Sequence, residues 1–434
     1  MINKRNQRLL AVAVALSLTA VACGGDDDDT TATTSGGSET TAAPETTMAT
    51  ETTMATETTM ATETTMATET TMASETTMAT ETTMATETTM AGGEAIDLSA
   101  DCPATVIIQT DWFPEAEHGA LYHLIGNPQI DADRKVVSGD LMVAGADTGV
   151  DVEVRAGGPA IGSGTVAAEM YVDNSITLGY GTTDGQILRY TDTPLLSVMA
   201  PLELNPQIIY WDPETYPDIA TLADLGTNNV TINVFAGGTF ADVFVAKGIW
   251  NADQIDPSYD GSPGRFIASG DIAQQGFASA EPWLYKNQFT DYGRDLAYQL
   301  LNDAGFPVYS QTLAVRPDAL EELTPCLTKL IPAIQQATVD YYADPAETNA
   351  LIVETVAEYD TFWTYPAELA DFSVATQLEL GLAGNGPDST VGNMDEARVQ
   401  EVIDALKAAE MTVPEGITPA DIFTNQFIDE SIGF

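Results

Sequence analysis

A six-residue unit, Glu-Thr-Thr-Met-Ala-Thr, confines folding to the residues that follow it. Its glutamates stand at positions 45, 51, 57, 63, 69, 75, 81 and 87, and Ser74 replaces one threonine. A period of six fits neither a heptad nor a solenoid repeat. The unit has no aromatic side chain and no aliphatic one larger than methionine, so it cannot bury enough surface to offset the entropy of ordering. The expectation is an extended, solvated stalk over residues 23–95, opened by the acidic run Asp26–Asp29. Such a coil spans about 45–50 Å root-mean-square, and more with charge repulsion. Isolated thioethers bind only soft metals well, so the methionines read as low-complexity filler ahead of a metal or redox site. The threonine density also suits attached sugars.

The segment before the stalk reads as an export signal. Lys4, Arg5 and Arg8 precede an apolar run, which ends in Ala20-Val21-Ala22-Cys23-Gly24. Small residues before a cysteine are the pattern of a bacterial lipoprotein signal. Residues 1–22 are then removed on export and Cys23 carries the lipid. The run is short for a membrane span; an uncleaved anchor is the alternative. Both readings place the rest of the chain outside the cytoplasm, attached to the cell membrane.

From residue 96 onward the composition is that of a globular protein and includes all five tryptophans. The length suits two α/β lobes better than one small core. This part holds 51 acidic and 12 basic residues. Such an excess disfavours nucleic acid and anionic lipid as partners. Only Cys102 and Cys326 remain in it. An even pair in an exported protein argues for one disulfide, with two separate buried thiols as the alternative.

Hydrophobic periodicity gives alternating strands and helices. Strands are expected at 106–109, 150–154 and 176–180, helices at 118–125 and near 165–170, and a hairpin arm at 136–143. This is a β-α-β-α-β unit, the mark of a mostly parallel sheet with helices on its faces. The pattern then restarts. Extended stretches at 195–199 and 207–211 precede a helix at 221–225, a strand at 230–235 and a helix at 241–250. A short helix at 271–275, a strand at 277–280 and an amphipathic helix at 292–304 follow, then extended chain at 309–315. The remainder reads as helical at 317–342, 346–359, 394–410 and 419–423, folded onto the first lobe. The expected division is residues 96–200 for the first part of lobe 1, 201–312 for lobe 2, and 313–434 for the return to lobe 1.

Catalytic patterns are absent: no Gly-x-Ser-x-Gly, no His-Glu-x-x-His and no phosphate loop. Two histidines, His118 and His123, lie five apart and do not stack on one helix face. A metal site from Glu115, Glu117 and His118 can be drawn, but its spacing is unlike that of zinc ligands; no metal or cofactor is expected. The informative residues stand at strand ends. Asp111 and Trp112 follow the first strand, Gly157 and Gly158 the second, and Thr182, Thr183 and Asp184 the third. Gly237, Gly238, Thr239 and Glu281 hold matching places in the second unit. Loops at the carboxyl ends of parallel strands are where open α/β sheets bind ligands. Five such loops in register point to a cleft.

The stretch Thr110-Asp111-Trp112-Phe113-Pro114-Glu115-Ala116-Glu117-His118-Gly119-Ala120-Leu121-Tyr122 resembles the opening of the solute-binding proteins for thiamine pyrimidine precursors, nitrate and alkanesulfonates. Residues 149–154 with Gly157-Gly158 are similar to that group's second strand. Residues 270–277 with Glu281-Pro282 are similar to its late lobe-2 strand, and residues 422–427 to its C-terminal tail. The resemblance implies a type II periplasmic-binding fold: two α/β lobes, a cleft, a hinge of two crossovers and a helical C-terminal tail. It implies a monomeric, non-enzymatic capture protein that hands a small molecule to the permease of an ABC importer. Together with the strand-end loops, it places the ligand among Asp111, Trp112, His118, Gly157, Gly158, Thr182, Thr183, Asp184, Gly237, Gly238, Thr239 and Glu281. Trp112 is the expected stacking platform and Glu281 the expected partner for an amino-pyrimidine edge, which favours a heteroaromatic ligand such as a thiamine pyrimidine precursor. Nitrate, a sulfonate or a flavin is the alternative, as are an extracellular enzyme or a sensor on the same fold. Residues 127–147 form a longer link than that group has. Nothing matches the cysteine-rich motif of the related eukaryotic enzymes that sacrifice a histidine, so His118 is not a substrate donor.

Overall fold

The computed structural model describes residues 96–162 and 164–434. Cys23, the leader and the stalk lie outside the described residues. Twelve strands are present among them: β1 (Thr105–Gln109), β2 (Ile125–Asp131), β3 (Val136–Val143), β4 (Ala146–Arg155), β5 (Leu178–Gly181), β6 (Leu196–Met199), β7 (Gln207–Trp211), β8 (Thr231–Asn233), β9 (Ile255–Asp256), β10 (Ile272–Phe277), β11 (Ala297–Leu300) and β12 (Thr312–Val315). The α-helices are α1 (Gly119–His123), α2 (Val166–Val172), α3 (Thr183–Leu188), α4 (Leu222–Thr227), α5 (Thr239–Ala246), α6 (Gly264–Ser269), α7 (Glu281–Trp283), α8 (Leu320–Ala343), α9 (Ala346–Tyr359), α10 (Ala367–Glu379) and α11 (Glu396–Ala408).

The strands make two sheets. The first runs β2-β3-β4-β1-β5-β12-β6 and the second β11-β7-β10-β8-β9. In the first, β1 lies parallel to β4 and β5, and β12 enters antiparallel between β5 and β6. In the second, β8 lies parallel to β9 and β10, and β7 is antiparallel to β10 and β11. The chain leaves the first sheet after Met199 and returns at Thr312, so two crossovers join two α/β lobes. This is the type II periplasmic-binding architecture. The 127–147 link is the β2–β3–β4 meander, which extends the first sheet at one edge.

Burial explains the strand choices. β4 alternates strictly, with Val150, Val152 and Val154 in the core. β10 is covered on both faces: Gln274 and Gln275 are buried, and each has a hydrogen bond, to the Tyr210 hydroxyl and from the Phe235 N–H. Its glutamines give the stretch a helical look in sequence, but it is a central strand. Residues 292–304 differ from expectation in the same way. Tyr292, Leu296 and Leu300 repeat at helical spacing, yet Ala297–Leu300 pairs antiparallel with β7. Sheet pairing overrides local periodicity in both cases.

The first sheet packs under α1, α8, α9 and α10 through Leu121, Leu330, Ile334, Ile352 and Leu369. Cys102 and Cys326 are bonded and tie the segment before β1 to α8. The C-terminal tail does not fold onto the first lobe alone. α11 buries Val399, Val402, Ile403 and Leu406 in a cluster that also holds Ile187 of α3 and Phe240 and Phe244 of α5, so it packs against both lobes. No described helix is long and apolar enough to cross a membrane.

Candidate ligand-binding cleft

A cavity of about 230 Å³ lies between the lobes. Asp111, Thr182 and Asp184 face it from the first lobe, and Gly237, Gly238 and Thr239 from the second. These six were expected from the strand-end pattern. Thr182 caps α3, its hydroxyl accepting from the Gly185 N–H at 3.2 Å. Thr239 opens α5 and donates its hydroxyl to Asp184 across the cavity.

The other expected residues stand elsewhere. Trp112 is half-buried among aromatic rings, meeting Phe113, Phe362 and Trp363 edge-on at centroid distances of 6.1, 6.4 and 6.1 Å. Gly157 and Gly158 pack beneath it. A Cβ on Gly157 would lie 2.0 Å from the Thr110 carbonyl, and one on Gly158 would lie 2.6 Å from the Trp112 ring. Gly158 also has φ +56, so both glycines serve the close approach of two strand-end loops. Thr183 is fully buried and accepts from the Tyr309 N–H at 3.2 Å, which fixes α3 to a crossover.

His118 and Glu281 belong to a layer of ionisable groups behind the cavity. His118 is fully buried, with Nε2 3.1 Å from Asp111 and 3.6 Å from Glu115, and its Nδ1 has no partner. Gln311, from the crossover before β12, donates to Asp111 at 3.3 Å. Glu115 is held well above the usual carboxylate range by desolvation, with the charges of Glu117, Asp111 and Glu281 adding to it. Glu117 is raised by desolvation too, although a hydrogen bond from Ser279 opposes the shift. Glu281 accepts from the Phe277 N–H at 2.6 Å, and desolvation followed by the Glu117 charge pushes it up to about 7. No group of three or more His, Cys, Asp or Glu among the described residues is placed to hold a metal ion.

Sequence reasoning missed the crossovers. Asn205 on one, and Ser310 and Gln311 on the other, line the cavity, as do Gln207 at the start of β7, Gln275, Phe277 and Arg189. The usable signal was polar residues in short segments that must pass between two lobes. Ser310 Oγ and Gln311 Oε1 are buried without a partner. A buried polar atom left unpaired is costly, and a bound molecule would supply the missing bonds.

Two lobes, two crossovers and a cavity between them define a two-lobed binding architecture. No protein-family model matches the chain, and no curated protein matches it. Among solved structures it is similar to the alkanesulfonate-binding protein SsuA from Xanthomonas axonopodis pv. citri bound to MOPS, with 16% identity and a TM-score of 0.47, over 74% of this chain and 98% of that one. It is similar to the periplasmic aliphatic sulphonate-binding protein SsuA from Escherichia coli, with 12% identity and a TM-score of 0.45, over 76% and 94%. It is also similar to a ligand-binding component of an ABC-type import system from Staphylococcus aureus with zinc bound, with 9% identity and a TM-score of 0.48, over 74% and 97%.

Proposed function

We propose that this protein captures a small solute outside the cytoplasm and presents it to the permease of an ABC importer, tethered to the membrane through a lipid on Cys23. The observation that carries the reading is the cavity walled by both lobes and both crossovers. A molecule held there touches both lobes at once. It therefore favours the closed arrangement over the open one, which is the difference a permease can read.

The ligand we favour is a small heteroaromatic with a basic nitrogen, such as a pyrimidine precursor of thiamine. Asp111 and Asp184 supply carboxylates at the wall, and desolvation holds the Glu115, Glu117 and Glu281 carboxyls behind it toward their neutral forms. Asn205, Gln207, Gln275 and Gln311 offer amide donors and acceptors to ring nitrogens. Phe240, Phe277 and Phe306 supply apolar ring contact from the second-lobe side. A sulfonate or nitrate is the second reading, and Arg189 is the one observation in its favour.

Native mass spectrometry of the protein purified from its own cells tests the reading. The expected result is an added small mass that is lost on denaturation. A protein that carries no such mass and whose melting temperature no small molecule raises is not a capture protein. Fractionation of cells making Cys23→Ser tests the tether. The variant is expected in the soluble exported fraction, and firm membrane attachment rules the lipid out.

A further inference from the structure

We propose that Arg189 is the anion-pairing residue of the cleft, so that the captured solute carries an acidic group as well as its basic nitrogen. This rests on the capture reading above and narrows its ligand class. The starting point is scarcity: residues 96–434 contain 12 basic side chains against 51 acids. Among the described residues, ten of the twelve donate to a carboxylate or to a carbonyl. Arg189 and Lys407 do not. Lys407 sits exposed in the last turn of α11, where a cation favours the helix end. Arg189 is exposed as well, at the C-cap of α3, but it lines the cavity.

Its position is at a junction. A second cavity of about 190 Å³ opens in the first lobe. It shares four wall residues with the interlobe cavity: Asp111, Thr182, Gly185 and Arg189. The Arg189 side chain folds back over the first turn of α3. A Cβ on Gly185 would stand 3.3 Å from Arg189 Nη1 and 2.7 Å from Thr182 Oγ1. The guanidinium thus lies where the two chambers meet, and the absence of a side chain at Gly185 keeps the approach open.

Buried polar groups on both sides await a partner. The Tyr180 hydroxyl, on a residue 3% exposed that lines the second chamber, has none. Ser310 Oγ is unpartnered at the first chamber. Both are hydroxyl donors suited to an acidic oxygen. A guanidinium adds two parallel N–H donors, a geometry that matches carboxylate, phosphate or sulfonate. Asp111 and Asp184 make the same walls hostile to a lone anion. A molecule with both charges satisfies all of these groups, which identifies the class as a heteroaromatic amine bearing a carboxylate, phosphate or sulfonate.

The experiment is capture from the dialysable small-molecule fraction of a bacterial culture. Protein freed of bound molecules by unfolding and refolding is incubated with that fraction and washed. Retained compounds are released by denaturation and identified by mass spectrometry. Wild type is expected to retain a compound with a basic nitrogen and an acidic group. Arg189→Gln is expected to retain roughly tenfold less or worse, as loss of a charge-assisted pair implies. Arg189→Lys recovers part of the loss, and Lys407→Gln loses nothing. Melting temperatures of all three variants without added compounds are expected to match wild type. A retained compound lacking an acidic group, or equal retention by Arg189→Gln, overturns the inference and leaves the capture reading standing. Retention of nothing by wild type overturns both.

Discussion

Ser279, just after β10 in the second lobe, donates its hydroxyl to Glu117 on the turn that precedes α1 in the first lobe. Its carbonyl accepts from Ser373 of α10 at 2.5 Å. Ser279 is fully buried and Glu117 nearly so. The bond therefore joins the lobes away from water, in company with the Thr239–Asp184 bond at the cavity wall. Removing one partner strands the other, and hydrogen bonds to charged groups contribute about 1.5–3 kcal/mol. Ser279→Ala is expected to shift the ligand-free protein toward an open arrangement, read as a larger radius of gyration in solution scattering. Thr239→Ala acts in the same direction, and the double variant opens further. An unchanged radius in the double variant excludes these bonds as the interlobe tie.

The Cys102–Cys326 bond closes a sequence separation of 224 residues. Constraining so long a loop in the unfolded chain is worth about 5 kcal/mol in the chain-entropy model, as an upper figure. Cys102→Ala with Cys326→Ala is expected to lower the unfolding free energy by a few kcal/mol. Ligand capture at low temperature stays intact, because neither cysteine lines the cavity. Denaturant melts with and without reductant check this on wild type as well. Coincident curves mean that the bond contributes nothing.

Much of the first lobe was legible because its strands alternate or run apolar and end in glycine-rich turns. Val150, Val152 and Val154 announce β4 in this way. Where polar residues are buried against distant partners, local pattern misleads. Gln274 reads as part of a short helix in sequence, but it is buried in a central strand and donates to the Tyr210 hydroxyl, 64 residues away. The same reason hid the cavity's crossover wall. Asn205, Ser310 and Gln311 acquire meaning only when two sheets bring the crossovers side by side. The α10 helix and the double contact of α11 were equally non-local. α11's apolar stripe says that it packs, and the tertiary fold decides that it packs on α3 and α5.

Trp112 stands beside the cleft without lining its cavity. Its ring meets three aromatic rings and the Gly158 backbone, and it does not line the cavity. A partly buried tryptophan truncated to alanine costs about 2–3 kcal/mol, below the 3–5 of a fully buried one. Trp112→Ala is expected to lower the ligand-free melting temperature by several degrees and to leave the ligand-induced rise largely intact. Trp112→Phe restores most of the lost stability. A variant that melts like wild type but loses the ligand-induced rise places the ring against the ligand instead.

Glu281 sets a pH dependence whose two halves run in opposite directions. Its carboxyl is pushed up to about 7 by desolvation, with the Glu117 charge adding to it, and Glu115 and Glu117 are raised as well. An unfolded chain releases the same protons near the ordinary glutamate value of about 4.3. The folded state therefore binds protons more tightly. The stability that this contributes is complete below about pH 4.3 and is lost as pH climbs through about 7. The ligand-free protein is expected to melt higher at about pH 5 than at about pH 7.5. Glu281→Gln flattens that slope and raises the melting temperature at the higher pH. Binding of a basic nitrogen runs the other way, since the Glu281 carboxylate at the Phe277 N–H attracts it once ionised. Affinity for a cationic ligand is expected to rise over the interval in which the free protein loses stability. Glu281→Gln weakens that rise, by up to roughly tenfold at about pH 7.5 if the full charge is felt. Calorimetric titration and thermal melts on the same buffers give both slopes. A melting temperature that climbs with pH over this interval, or an affinity indifferent to Glu281→Gln, removes Glu281 from the account of the cleft.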